Sequence, residues 1–388
     1  MRLVKHLLAL GLMIMPFVFW EKAEIRYEIP RVVMIEWWIK SLVIGAAGAI
    51  FLGKQKVKWE NSNKLFFWIW LWLAVVILSG LLGGDVIKSI FGNYYRRDGL
   101  LTLFHLVGLG MAAGWFYRRD WQRVVLWGVG LGMAGVSFWT VYEAIKLGFM
   151  MPVGVSFGQP NFLAGYLLIG LPLIDYLAKM EKNRLVRIFW KVGLLVQTTA
   201  IVATYSEMGI LGIGLFWGLN QWLTQKQKLR RWLAVGGLIT ILGYGLSGLN
   251  RGEINNQNPE DRRRIWVKTF LGAVKRPILG YGWANVDLAF EQVDWPYAER
   301  EGYKLYVDKA HSHLLEMLTV SGVVGLTLYI MVVSRMVRIF YRDSQNSRFK
   351  KALLMSLLLY LIQTQVNVVS VAEEVWFWVM AGIAGQDS

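Results

Sequence analysis

Residues 65–83 read Leu-Phe-Phe-Trp-Ile-Trp-Leu-Trp-Leu-Ala-Val-Val-Ile-Leu-Ser-Gly-Leu-Leu-Gly, with no charged side chain among them. A helix that crosses the hydrocarbon core of a bilayer needs about 20 such residues. Similar runs lie near Leu7–Trp20, Val33–Gly53, Leu100–Tyr117, Val124–Val141, Phe162–Ala178, Ile188–Tyr205, Gly209–Leu223, Leu233–Leu249, Leu314–Val333, Ala352–Val369 and Val375–Ala384. They are too long and too frequent for soluble domains. They predict an all-α, polytopic membrane protein with about 12 transmembrane helices. Residues 1–388 form a single membrane domain in this reading.

Composition agrees. Hydrophobic residues make up 55% of the chain and charged residues only 18%, against roughly 25% in a soluble domain. The net charge is +16, which raises the question of nucleic acid. The basic residues cluster between the apolar runs, which is a mark of membrane topology, so no nucleic-acid partner is expected. The chain has no cysteine, which excludes disulfides, thiolate chemistry and cysteine metal sites. The first run, with Arg2 and Lys5 ahead of it, looks like a signal peptide. Its end, Phe17-Val18-Phe19-Trp20, is bulky where a cleavage site needs small residues, so a retained helix is expected.

Lysine and arginine are dense at the N-terminus and in every second loop, including Lys54–Lys64, Lys179–Lys191 and Arg335–Lys351. By the positive-inside rule both termini are cytoplasmic. The one long loop, residues 250–310 between the ninth and tenth spans, is then extracytoplasmic. It carries short helices. Asn258 is a good N-cap, Pro259 suits the first helical position, and Glu260 and Asp261 complement the positive helix end. Arg276-Pro277 ends that helix. Trp266, Phe270, Ala273 and Val274 fall on one stripe, which Arg262 joins, so the helix can lie on the membrane or against the bundle. An arginine near a helix N-terminus suits an anion; it also suits simple snorkelling to lipid headgroups. His311 stands at the mouth of the next span, where a general base near neutral pH would sit. The bland reading is a polar helix end. A metal pair of His311 and His313 is weaker, because residues two apart on a helix diverge. No metal and no cofactor are expected.

Four stretches carry a resemblance. Gly158-Gln159-Pro160-Asn161-Phe162-Leu163-Ala164-Gly165 resembles the G-x-P-N-aromatic-L-A-G motif of the O-antigen ligase and polymerase superfamily. Arg262-Arg263-Arg264-Ile265-Trp266 looks like its R-x-x-aliphatic-W motif. Pro277 to Gly282, with Gly280 and Gly282, is similar to its P-aliphatic-aliphatic-G-aromatic-G motif. Ala310 to Glu316 resembles its H-N-x-x-L-E motif, with Ser312 in place of the usual asparagine. The four occur in the family's order.

The resemblance implies a glycosyltransferase of the bacterial inner membrane with an extracytoplasmic active face. It would move a glycan from undecaprenyl diphosphate to a glycolipid, glycan or protein acceptor, amid membrane lipids. It maps a diphosphate-binding role onto Arg262 and the catalytic base onto His311. Asn161, Trp266, Gly280, Gly282 and Glu316 are further motif positions. One departure is sharp. Where the family has S-R-G after its seventh span, this chain has Ser206-Glu207-Met208-Gly209. Arg96 and Arg97, on the same side, are expected to replace the missing cation. Arg96 or Arg97 is expected to pair with Glu207 while still presenting a guanidinium to the diphosphate.

Ligase, polymerase and protein O-oligosaccharyltransferase are alternatives within the resemblance. Outside it stand an inactive glycan-binding protein and a transporter or flippase. Intramembrane Glu36, Lys40, His105, Glu143 and Asp175 would mark a transporter's polar path, with Glu36 and Lys40 paired at a spacing of four. No inverted repeat accompanies them.

Overall fold

The computed structural model describes residues 2–51, 64–115, 119–224, 262–293 and 306–386. Every regular element among the described residues is a helix. In chain order they are α1 (Arg2–Ile14), α2 (Glu28–Phe51), α3 (Lys64–Leu82), α4 (Val86–Phe91), α5 (Leu100–Trp115), α6 (Arg119–Lys146) and α7 (Pro160–Met180). There follow α8 (Arg184–Ala203), α9 (Glu207–Thr224), α10 (Arg262–Lys275), α11 (Val286–Glu291), α12 (His313–Ser344), α13 (Arg348–Gln363) and α14 (Val371–Gln386). A helix covers most of each expected span except Leu233–Leu249. That span, and the expected cap at Asn258, lie outside the described residues.

Among the described residues five helical segments are long and apolar enough to cross a membrane: Lys64–Leu82, Arg123–Lys146, Pro160–Met180, Arg184–Ala203 and His313–Ser344. Their apolar surface is used differently. In α7, 83% of the apolar window is buried by neighbouring helices, against 28% in α8. So α7 is the centre of the bundle, and most of α8 faces outward, where lipid would cover it.

Lipid tails are as apolar as leucine, so helices in a bilayer associate through close packing. The pair α5/α14 illustrates this. A Cβ on Gly382 would lie 1.7 Å from the Gly110 carbonyl oxygen, so only glycine lets the two backbones touch. Gly114 meets the Gly382 carbonyl in the same way, at 2.4 Å.

The tenth expected span is broken. Gly322 interrupts α12 with φ 64° and ψ −171°, which frees backbone groups that apolar surroundings would penalise. The turn after α10 supplies the partners. Tyr281 N–H donates to the Thr319 carbonyl at 2.9 Å and Gly282 N–H to that of Val320 at 3.1 Å. In return Val323 N–H donates to the Pro277 carbonyl at 2.7 Å. Ser79 of α3 adds its hydroxyl, donating to the Leu279 and Val320 carbonyls. The proline-glycine stretch is therefore a brace for the break.

The stripe of α10 divides between two surroundings. In α10 Ala273 is buried, but Phe270 and Val274 are about half exposed, and the inward side is Ile265, Thr269 and Gly272. At 3.6 residues per turn each four-residue step drifts by about 40°, so the stripe from Arg262 through Trp266 walks off the core by Phe270. Contact of Gly272 with the Ala289 backbone fixes that phase. The expectation about Glu36 is corrected. Its partner is Arg97, at 3.7 Å, while Lys40 lies over the Trp37 ring.

Candidate active site

The site begins with a closed loop between α4 and α5. Gly92 and Gly99 abut so tightly that a Cβ on Gly99 would lie 2.2 Å from the Gly92 nitrogen. Inside it Asn93 Oδ1 accepts from the Tyr95 and Arg96 backbone N–H groups, at 3.0 and 2.9 Å. The Asn93 amide also donates to Asp308, at 3.3 Å. Arg96 is thereby aimed at Asp308, with its Nε 2.7 Å from Oδ2. Its guanidinium lies 5.5 Å from the centre of the Phe162 ring. The G-x-P-N-F stretch thus supplies the surface under this arginine.

Next to that pair is a second. Lys309 Nζ lies 2.6 Å from Asp98 and 2.7 Å from Glu316. Burial disfavours charge on Arg96, Asp98, Asp308 and Lys309, but mutual attraction more than offsets it. Arg96 and Lys309 are held above their ordinary pKa by Asp308 and Asp98, respectively. Asp98 and Asp308 are held below theirs by Lys309 and Arg96. All four remain charged across the physiological range.

Two residues on, His311 takes a left-handed backbone, φ 52°, which costs a residue with a side chain. The turn is held from the outside. Trp266 of α10 donates its indole N–H to the His311 carbonyl at 3.2 Å. Burial pushes the His311 pKa down, and nearby Arg262 and Arg96 push it further, against an opposing pull from Asp308. The imidazole is neutral at neutral pH. Arg262 donates to Asn367 at 3.3 Å. His313 is half-buried like His311 but has different neighbours. Its ring packs 5.1 Å from that of Tyr329, and its backbone N–H donates to the Thr364 carbonyl at 2.9 Å. Ser312 contacts Gln365 at 3.4 Å.

Beneath the ion pairs lies a cavity of about 600 Å³, open mouth included. Arg96, Asp98, Lys309, Glu316, Trp283 and Glu374 are among the side chains that line it. Helices α2, α7, α12 and α14 all begin around this place, since Glu28 accepts from the Val371 N–H at 2.9 Å and Phe162 underlies Arg96. Positive helix ends therefore converge here. A second cavity, between Leu8, Leu126, Leu173 and Ile383, is wholly apolar and offers no chemistry. Among the described residues no cluster of histidine and carboxylates has the form of a metal site.

The structure thus gathers Arg96, Arg262, Trp266, His311 and Glu316. Gly280 and Gly282 belong to the brace, and Asn161 is half-buried in the first turn of α7. Arg97 stands at the edge, its side chain 41% exposed. The expected pairing of Arg96 or Arg97 with Glu207 is overturned, because Asp308 holds Arg96 and Arg97 pairs with Glu36. Glu207 is exposed at the start of α9. Sequence reasoning missed Asp98, Asp308, Lys309, Trp283 and Asn367 as members of the cluster. Their one signal was charge and aromatic character at the ends of apolar runs.

Comparison with known families falls on this same region. Residues 192–330 match the family described as O-antigen ligase. The match supports the O-antigen ligase superfamily. It covers Arg262, Trp266, Gly280, Gly282, His311 and Glu316, and leaves Arg96, Arg97 and Asn161 outside its bounds. The matched stretch supports an O-antigen ligase or polymerase type of membrane enzyme. No curated protein matches the chain.

Proposed function

We propose that the protein transfers a glycan from an undecaprenyl-diphosphate carrier to an acceptor hydroxyl or amine on the outer side of a bacterial inner membrane. The observation that carries this reading is one cluster in which two arginines flank a histidine of lowered pKa. The diphosphate leaving group needs fixed positive charge as its bond to the sugar breaks. Arg262 and Arg96 supply it. Arg96 gives its Nε to Asp308, and the fork of a guanidinium has further donors for a phosphate. Arg97 is a third cation at the rim. The acceptor hydroxyl must lose a proton as it attacks the anomeric carbon, and a neutral His311 takes it. This places Arg96 in the role of the arginine that Glu207 replaces.

The transporter reading loses its polar path. Asp175 pairs with Lys179 at 2.7 Å, Glu143 with Lys146 at 3.3 Å, and His105 with the Leu101 carbonyl at 2.7 Å. Each is settled locally. The test is transfer by purified protein from a lipid-linked oligosaccharide to candidate acceptors. Arg262→Ala and His311→Ala should each lose about 10²–10⁴-fold in rate while inserting normally. His313→Ala should retain more activity than His311→Ala. Equal activity of all three with the parent protein would overturn the assignment.

A further inference from the structure

Three tyrosines surround the Arg96–Asp308 pair without taking part in it. Tyr94 and Tyr95 precede Arg96 on the same turn, and Tyr306 lies two residues before Asp308. They are 62%, 55% and 48% exposed. The Tyr94 and Tyr95 rings meet edge to face with centres 5.5 Å apart, and Tyr95 and Tyr306 lie 6.2 Å apart. The Tyr94 ring is anchored by its hydroxyl, which donates to Glu24, and the Tyr306 hydroxyl lies toward Asp287. Asp287 is in turn ion-paired with Lys88. The result is a continuous aromatic surface, framed at both ends by carboxylates, beside the cations of the candidate active site.

We propose that Tyr94, Tyr95 and Tyr306 form a glycan-binding platform that holds sugars of the transferred chain or acceptor beyond the reacting one. The proposal rests on the glycosyl-transfer reading of the neighbouring site. The C–H faces of a pyranose pack on aromatic rings, and its hydroxyls donate to carboxylates. Glu24 keeps acceptor capacity beyond its tyrosine partner, since an ionised carboxylate has about four lone-pair sites. An anionic headgroup is a poor fit, because the carboxylates of Glu24 and Asp287 frame the rings. A tyrosine that merely anchors a protein at the membrane surface offers its hydroxyl to the headgroup region. Here the outer two hydroxyls are turned to protein carboxylates, and the rings remain open.

The experiment compares Tyr95→Leu and Tyr306→Leu with Tyr95→Phe and Tyr306→Phe. Transfer is measured with lipid-linked donors carrying one sugar or several. For the longer donor the leucine variants should raise KM by up to about tenfold, with kcat held, the range of one aromatic contact. The single-sugar donor should be affected less, and the phenylalanine variants should resemble the parent. A second measurement needs no turnover. Oligosaccharide released by mild acid from the producing cells' lipid-linked pool is tested for binding by saturation-transfer NMR. Signal that is present in the parent and in Arg262→Ala, and lost in the leucine variants, supports the platform even if transfer fails. Absence of signal from the parent, or a KM independent of the leucine substitutions, overturns it. Loss of insertion or thermal stability with unchanged KM overturns it as well, and returns the tyrosines to the membrane surface.

Discussion

His311 carries a backbone conformation unfavourable for a side-chain-bearing residue and a pKa below the histidine norm, both imposed by its neighbours. If it is the base, transfer should fall on acidification only at a pH below the ordinary histidine value. Burial leads that shift, and Arg262 adds to it. In Arg262→Gln the residual activity should therefore lose its acid limb at a higher pH than the parent, as read from rate against pH. An unmoved limb would assign the titration to another group. The same shift bears on stability. The unfolded chain takes up a proton at His311 first as pH falls through the ordinary value, so its contribution to stability is full above that value and is lost toward the lower folded pKa. Lys309 sets the other half of the local geometry, gripping Asp98 and Glu316 just before the turn. Replacing one partner of such a buried cluster costs about 3–5 kcal/mol. Lys309→Met should lower kcat and thermal stability together, and Lys309→Met with Glu316→Gln should recover part of the stability, by thermal unfolding in detergent. The sequence made His311 and Arg262 legible through motifs. It did not disclose Asp98 or Asp308, because each acts through a partner some 200 residues away, Lys309 and Arg96 respectively.

The broken helix α12 depends on a single position. With φ 64° and a Cβ that would lie 2.1 Å from the Ile278 carbonyl oxygen, Gly322 has no tolerable replacement. Gly322→Ala should cost about 1–3 kcal/mol from the backbone alone, and the clash with the brace adds to it. The measurement is thermal melting of the purified variant, and an unchanged melting temperature would refute the brace. At this scale the sequence was informative about existence and weak about faces. Length and hydropathy located the helices because they need no knowledge of neighbours. The stripe of α10 left open whether it met membrane or bundle, and in the fold Ala273 is buried while Phe270 and Val274 stay about half exposed. What decides the phase is the approach of Gly272 to Ala289, which periodicity does not reveal. The brace itself was visible as a turn-rich stretch, without its partner.

For the whole molecule, the basic clusters assign the compartments, and reporter fusions after Leu223 and at Gln292 should report opposite sides of the membrane. The same compartment for both would undo the proposed topology. The expected span between those positions lies outside the described residues, so its presence was argued from hydropathy and charge alone. The ion pairs around the site have a consequence for the solvent in which the protein works. Lys309 and Asp98 are only 14% and 16% exposed, too enclosed for dissolved salt to weaken them. Arg97, at 41%, meets bulk water, where screening acts over about 8 Å at 0.15 M ionic strength. Added sodium chloride should thus raise the KM for an anionic donor while leaving kcat nearly flat. A kcat that fell in step with rising salt would mean that counterions reach the buried pairs.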